Sequence, residues 1–195
     1  MKFDELNQLK RFFSIMDVEN KDKRVSLAFE LYEALLYIFI MIDTEKRLDK
    51  EKAAQDYYES LKLRFGDIFA KEELSYEEDY LNDVVEEVID TTFRHLDEPY
   101  YVSKERALLI AQNEANTVMN SVDFKTAKAQ GKKYKRWVAI EDERTREAHT
   151  IVDTTRIPID EMFLVGNDSM RFPHDYINGS PENLINCRCS CIYEN

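Results

Sequence analysis

Apolar residues recur at helical spacing through the first half of the chain. Leu6, Leu9, Phe12, Phe13 and Met16 fall on one face of a predicted helix, and Leu27, Leu31, Leu35, Ile38 and Ile42 on the face of a second. Asp43-Thr-Glu reads as a break. Tyr57, Leu61, Leu63 and Phe65 then lead to Gly66, read as a C-cap, and Tyr80, Leu81, Val84, Val85, Val88 and Ile89 mark a further amphipathic helix running toward Pro99. The opposite faces are densely charged, as solvated helix surfaces ordinarily are; the alternative is that one of them docks on a larger assembly. Residues 1–98 are therefore expected to be helical. Pro99 marks the boundary to a second region, 99–195, because proline pushes the residue before it out of helical geometry.

In the second half the period changes. Ser103 is placed to cap a long helix, with Glu105 near its positive end, and the helix should run through Leu108, Ala111, Ala115, Val118, Met119 and Val122 to about Gln130, stopping at Gly131. Arg136-Trp-Val-Ala-Ile140 favours a strand, after which Asp142 is expected to cap a short helix through Arg146 and His149. Pro158 ends that region. Phe163-Leu-Val and Met170-Arg-Phe flank Gly166-Asn-Asp as a predicted hairpin, Asn178-Gly179 is a tight-turn signal, and Ile185 to Tyr193 closes the chain as a strand. The predicted fold class is α+β: a mostly helical N-terminal half, then a long helix packed on a small antiparallel sheet.

Composition narrows the function classes. The 195 residues carry 44% hydrophobic and 12% aromatic side chains, enough for a real core, and only four Gly and four Pro, which favours long regular elements. The formal charge of −12 argues against a wholesale nucleic-acid coat, though not against one basic patch. Such a patch is available in Lys125, Lys128, Lys132, Lys133, Lys135 and Arg136, around the end of the long helix. It reads either as charge complementary to a helix C-terminus or as a surface for DNA or an acidic protein. The most apolar stretch, Leu27 to Ile42, is interrupted by Glu30 and Glu33 and falls short of the roughly 20 residues of a membrane helix. No signal peptide is read at the N-terminus, so a soluble protein made in a cytoplasm is expected.

The unusual side chains crowd into the last sixty residues, which hold the single Trp, two of the three His and all three Cys. Cys187, Cys189 and Cys191 alternate along the predicted strand, so their Cα atoms would stand roughly 6.6–7 Å apart on one face. Two thiolates on one zinc lie only about 3.8 Å apart, which i and i+2 sulfurs reach only where the strand bends or bulges. Buried cysteine as a small hydrophobe is the competing reading. Pairing of the Trp137 strand with the Cys187 strand would carry the Asp142–His149 turn toward the cysteines. The candidate metal set is then His149, Cys187 and Cys189 with Asp142, or else Asp153 or Cys191, as fourth group: a structural zinc of the closed type. His174 is a weaker candidate. No full catalytic set is present: Cys187 with His149 imitates a thiol pair, but three alternating cysteines do not read as one tuned nucleophile. Glu141, Asp142 and Glu143 beside Arg144 and Arg146 read as a surface ion-pair network, and no phosphate loop, dinucleotide fingerprint or HExxH occurs. The chain is read as a non-enzyme, with a metal-dependent enzyme or toxin domain as the lesser alternative.

An ordered series of motifs carries a family resemblance over residues 103–195. Ala111-Gln-Asn-Glu114 is followed by Asn120 and the Lys-rich helix end, then by Lys135-Arg-Trp-Val-Ala and Asp142-Glu-Arg-Thr-Arg-Glu-Ala-His149. Phe163, Pro173-His-Asp175 and Glu182-Asn-Leu-Ile-Asn-Cys-Arg-Cys189 complete it. In this order and spacing the segment resembles the phage Mu F-like head-morphogenesis proteins, the minor capsid proteins of tailed phages. The family commonly has a Leu-Asp-Gly turn after the histidine. Here Val152-Asp-Thr-Thr155 stands in its place, keeping Asp153 but losing the glycine, so the turn type is not carried over. The resemblance implies a virion protein inside the head near the portal, acting in head assembly, genome packaging or delivery, with portal or capsid proteins and phage DNA as partners, no membrane, and any oligomer set by the portal.

Overall fold

Helices follow the apolar spacing through the N-terminal half of the computed structural model, which describes residues 2–43, 49–71 and 78–195. Helix α1 spans Lys2–Ser14, α2 Lys21–Asp43, α3 Lys50–Lys71 and α4 Glu78–Arg94. The expected break after Asp43 lies, from Thr44 on, outside the described residues. Two compact units can be distinguished: Met1–Leu6 with Ser26–Gln112, and Asn7–Val25 with Asn113–Asn195.

In the first unit Leu27, Leu31, Leu35, Ile38 and Ile42 of α2 are all buried, as are Tyr57, Leu61 and Phe65 of α3 and Leu81, Val85, Val88 and Ile89 of α4. Two expectations fail here. Leu63 is 65% exposed, because a residue two places after the buried Leu61 turns away from its face. Gly66 does not end α3, which continues to Lys71. Glycine inside a helix costs only about 1 kcal/mol relative to alanine, and burial of Phe65, stacked on Tyr80, offsets that. Helix α2 also exceeds its predicted extent: over 23 residues it is long and apolar enough to cross a membrane, and 50% of its most apolar window is buried inside the protein. Pro99–Val102 forms a 3-10 turn, tied to α4 by the buried Arg106. Its guanidinium donates to Thr92 Oγ1 and Tyr101 O at 2.7 Å each and to Val88 O at 3.2 Å.

The second unit is built on the later turns of α5, Lys104–Ala129. Ser103 Oγ accepts the Arg106 N–H at the helix start (3.2 Å), as predicted. At the other end Gly131 takes φ +74°, and the N–H groups of Gly131 and Lys132 return to Lys128 O and Ala127 O, closing the helix in a Schellman arrangement. Residues 7–25 belong to this unit. Arg24 is fully buried, and its guanidinium reaches Asn116 Oδ1 (2.5 Å), Asn120 Oδ1 (3.0 Å) and Asp123 Oδ2 (2.5 Å) on α5.

A three-stranded antiparallel sheet follows. Its central strand β1 (Tyr134–Val138) lies between β2 (Arg156–Pro158) and β5 (Ser190–Glu194), with Trp137 opposite Cys191. The closing strand is thus shorter than the predicted Ile185–Tyr193, and β2 was not anticipated; Pro158 is tolerated because β2 is an edge strand. The predicted hairpin forms around Gly166, at φ +60°, but its second strand lies two residues earlier than expected: β3 (Phe163–Val165) pairs with β4 (Asp168–Met170) rather than with Met170-Arg-Phe. Trp137, Val152, Phe163, Val165, Met170, Cys187 and Cys189 make one core cluster, and Phe124, Ala127, Ile159 and Phe172 a second.

Asp142 does not cap a helix. The short helix α6 (Glu147–Val152) starts after Arg146, while Asp142 Oδ1 accepts the Arg144 N–H at 3.0 Å and closes the loop before it. Asn178-Gly179 forms a turn, but not between strands: both N–H groups return to Asp175 O, at 3.1 and 2.8 Å. A Cβ on Gly179 would stand 3.1 Å from that same carbonyl and 2.7 Å from Leu184 Cδ2, so the position is glycine for want of space.

Candidate functional site: a histidine between two thiols

The six residues of α6 turn His149 and Val152, three apart, into the core, and His149 is 2% exposed with its ring edge-on to Trp137. Cys187 and Cys189 come from the irregular segment between the short helix α7 (Pro181–Leu184) and β5. That segment is bent at Asn186, which takes φ +59°, a conformation asparagine tolerates better than most residues. The bend is held from behind by a polar stripe on α5. Asn113 Oδ1 accepts the Asn186 N–H (3.0 Å), Asn116 Nδ2 donates to Cys187 O (3.3 Å), and Asn120 Nδ2 donates to Cys189 O (3.4 Å). His174 adds a fourth tie, Nε2 to Cys187 O at 2.6 Å, and Thr117 Oγ1 lies 3.0 Å from its Nδ1. Burial lowers the His174 pKa to about 4, so at neutral pH it is an uncharged donor to that carbonyl.

With the chain bent this way, both sulfurs reach one imidazole nitrogen. His149 Nδ1 is 3.3 Å from Cys189 Sγ and 3.5 Å from Cys187 Sγ, and the Cys189 N–H points at Cys187 Sγ across 3.4 Å. The other ring nitrogen is already committed. Asn183 Nδ2 donates to Val165 O (3.1 Å) and to Asp168 Oδ2 (2.8 Å), and Asp168 Oδ2 is itself held by Ser180 N–H and Oγ at 2.7 Å each. Two acceptors on the amide nitrogen fix the Asn183 flip, so Oδ1 faces His149 Nε2 at 3.2 Å and accepts its N–H. In the neutral ring with Nε2 as donor, Nδ1 is a bare lone pair aimed at two thiols.

The electrostatics divide the sulfurs. Burial opposes a Cys187 thiolate, but hydrogen bonds from the Cys189 thiol and N–H, with Arg146 and Arg188 nearby, hold its pKa below the ordinary thiol value. Cys189 is pushed up by its hydrogen bond to Cys187 and by burial, and Cys191 by burial.

Of the four residues in the predicted metal set, the structure brings together His149, Cys187 and Cys189, whose ligand atoms all lie within 4.8 Å of one another. Asp142 stands apart: both its oxygens are taken by Arg188, at 2.7 and 2.5 Å, and that pairing first of all lowers its pKa well below the carboxylate range. Asp153 Oδ1 accepts the Ala139 N–H (2.7 Å), and Thr154 holds φ +58° where the family pattern has glycine. Cys191 lies opposite Trp137 and packs against both core clusters.

The basic residues are dispersed. Lys135 is fully buried, donating to Arg171 O at 2.6 Å with its ammonium over the rings of Phe124 and Phe163, and desolvation lowers its pKa to about 8. Lys128 pairs with Asp160 (2.6 Å) and Arg136 with Glu194 (3.3 Å). Lys125 and Lys132 are half-buried, and Lys133 is exposed.

Sequence reasoning missed Asn183, Asp168 and the Asn113–Asn116–Asn120 stripe. The stripe left a signal: amides at i, i+3 and i+7 on a helix whose same face carries Ala and Val cannot all be solvated. Asn183 stands in the Glu182–Cys189 motif but without a readable role, and Asp168 left no signal, since their roles depend on a contact between a helix and a hairpin.

Comparison with curated proteins and with solved structures finds no match. A protein-family match, to the Phage Mu protein F like family, covers residues 78–192, more than half of the chain. It takes in β1, α6 with His149, the hairpin and the segment of Cys187 and Cys189, and the protein therefore belongs to this family of phage head-morphogenesis proteins, virion components that work with other head proteins.

Proposed function

We propose that this protein is a minor capsid component of a tailed phage that sits inside the head near the portal and acts in head assembly, genome packaging or delivery. The family match over residues 78–192 carries the reading. On this reading the C-terminal region, residues 99–195, supplies the morphogenesis domain, and the helical region, residues 1–98, supplies the docking surface for portal or capsid protein. The helical region favours a protein partner over DNA, because residues 1–98 carry 25 acidic against 14 basic residues. Tyr37 and Ile40, three apart on α2, are 60% and 43% exposed beside this acidic surface and supply apolar contact area.

Co-expression with the portal and major capsid proteins of the same phage tests the assignment. Co-purification with portal, and density at the portal vertex in cryo-EM of assembled heads, are expected. A chain that binds neither protein and is missing from heads overturns it.

A further inference from the structure

The arrangement of His149, Cys187 and Cys189 is more specific than a histidine buried beside two thiols requires. We propose that the three residues bind one zinc ion through Nδ1 and two thiolate sulfurs, leaving a fourth coordination position open to a small arginine-lined cavity. The proposal concerns metal chemistry and stands independently of the role in the head.

Three observations carry it. The first is distance. With Zn–N of about 2.05 Å, Zn–S of about 2.3 Å and tetrahedral angles, the N–S edge of a zinc site is about 3.6 Å. The two N–S separations here are 3.3 and 3.5 Å, close to that edge, and all three ligand atoms lie within 4.8 Å of one another. The second is the lone pair. Two buried sulfurs converge on the one Nδ1 lone pair, which without an ion can accept a single S–H and leaves the other thiol to bond sulfur to sulfur. A cation shared by all three atoms satisfies them at once, and soft thiolates with an imidazole in tetrahedral array favour zinc. The third is what stands behind the histidine. Metal-bound imidazoles donate their remaining N–H to a fixed acceptor, and Asn183, locked by Asp168 and Val165 O, is such an acceptor for Nε2. The Cys187 and Cys189 carbonyls are fixed in the same way by Asn116, Asn120 and His174, so the sulfur-bearing backbone is set before any ion arrives.

The fourth position has no protein donor among the described residues, since no further His, Cys, Asp or Glu atom joins the three. Beside them lies a cavity with room for about one water, walled by Ile140, Arg144, Thr145, Arg146, Asn186 and Arg188. A zinc with two thiolates is electrically neutral, and the arginine wall adds positive charge, so the fourth ligand is water or a small anion. No carboxylate lines that cavity to act as a base on the bound water. Binding is balanced by proton release: Zn²⁺ displaces the S–H protons of Cys187 and Cys189 to solvent and takes the Nδ1 lone pair of the neutral His149 ring.

The test uses the full chain, purified under reducing conditions. Elemental analysis should find one zinc per chain. Exchange for Co²⁺ should give a thiolate-to-cobalt charge-transfer band and tetrahedral d–d bands, and added cyanide should shift those bands by occupying the open position. Cys191→Ser should keep the metal, Cys187→Ser and Cys189→Ser should lose it, and Asn183→Ala should weaken zinc affinity about 10–100-fold with unchanged stoichiometry. A wild-type chain that neither carries zinc nor gives a thiolate band with Co²⁺ overturns the site, whatever the variants do. Iron in place of zinc overturns the assignment of the ion, and bands unmoved by cyanide overturn the open position.

Discussion

Thr154 holds a backbone conformation that its side chain opposes. Its φ is +58°, and it is the single β-branched residue with positive φ among the described residues. For an L-residue with a Cβ this geometry costs about 1–2 kcal/mol. Three contacts enforce it: Thr154 N–H to Trp137 O (3.0 Å), Trp137 N–H to Thr155 O (3.1 Å), and Asp153 Oδ1 to the Ala139 N–H (2.7 Å), which together bring the chain back alongside β1. Thr154→Gly removes the strain and adds roughly 0.4–1 kcal/mol of unfolded-chain entropy. The side chain is exposed, so little packing is lost. The expected outcome is a gain of about 0.5–1 kcal/mol, or a rise in Tm of about 1–4 °C for a chain of this size. Thr155→Gly is the control: its φ is not positive, so only the entropy remains and stability should fall. Thermal melts and urea titrations of the two variants, followed through Trp137 fluorescence, measure the difference. A Thr154→Gly chain that is destabilised as much as Thr155→Gly refutes the reasoning.

Arg24→Ala should cost about 3 kcal/mol or more in urea titration, because it strands Asp123, Asn116 and Asn120 around a buried cavity; a loss under 1 kcal/mol would mean that water replaces the guanidinium. Gly179→Ala should lower stability by about 1–3 kcal/mol through the contact with Asp175 O, while the same change at Gly66, where nothing lies within 4 Å, should raise it by about 1 kcal/mol. Lys135 gives a pH dependence. Its folded pKa of about 8 lies below the unfolded value, so between pH 8 and about 10.5 the unfolded chain holds the extra proton and wild-type stability rises with pH. Relative to Lys135→Met the wild type should therefore gain roughly 3 kcal/mol across that window, and a flat difference in pH-resolved denaturation would show that the ammonium is well solvated.

The sequence made legible those features that rest on local chemistry. Ser103 and Gly131 bound α5 because capping and left-handed geometry are local preferences. Gly166 marks the hairpin for the same reason. Pairing of the Trp137 strand with the closing strand was expected because both read as strands of one small sheet, although β5 begins only at Ser190, after Cys187 and Cys189. What stayed hidden is long-range. Asp142 reads as a helix cap because Arg188, 46 residues away, cannot be seen as its partner. β2 has three residues, too few for periodicity to register, and contains a proline. At the site, composition brought the histidine and cysteines to notice, and spacing alone required the bend that Asn186 provides. The tautomer of His149 was beyond reach, since it is set by an amide whose orientation depends on Asp168 across a hairpin.

The ties that fasten residues 7–25 into the second unit also set an order of events during synthesis. Arg24 finds Asp123 across 99 positions, and Ser190 Oγ donates to Asp17 O across 173. At about 5–20 residues per second, a ribosome needs roughly 10–35 s to make the chain between Asp17 and Ser190. Throughout that interval Leu9, Phe13 and Met16, fully buried at the end, await the strand that completes their unit. Premature release, a truncated message or a slow codon run before β5 would leave this first-made apolar segment as the surface on which nascent chains aggregate.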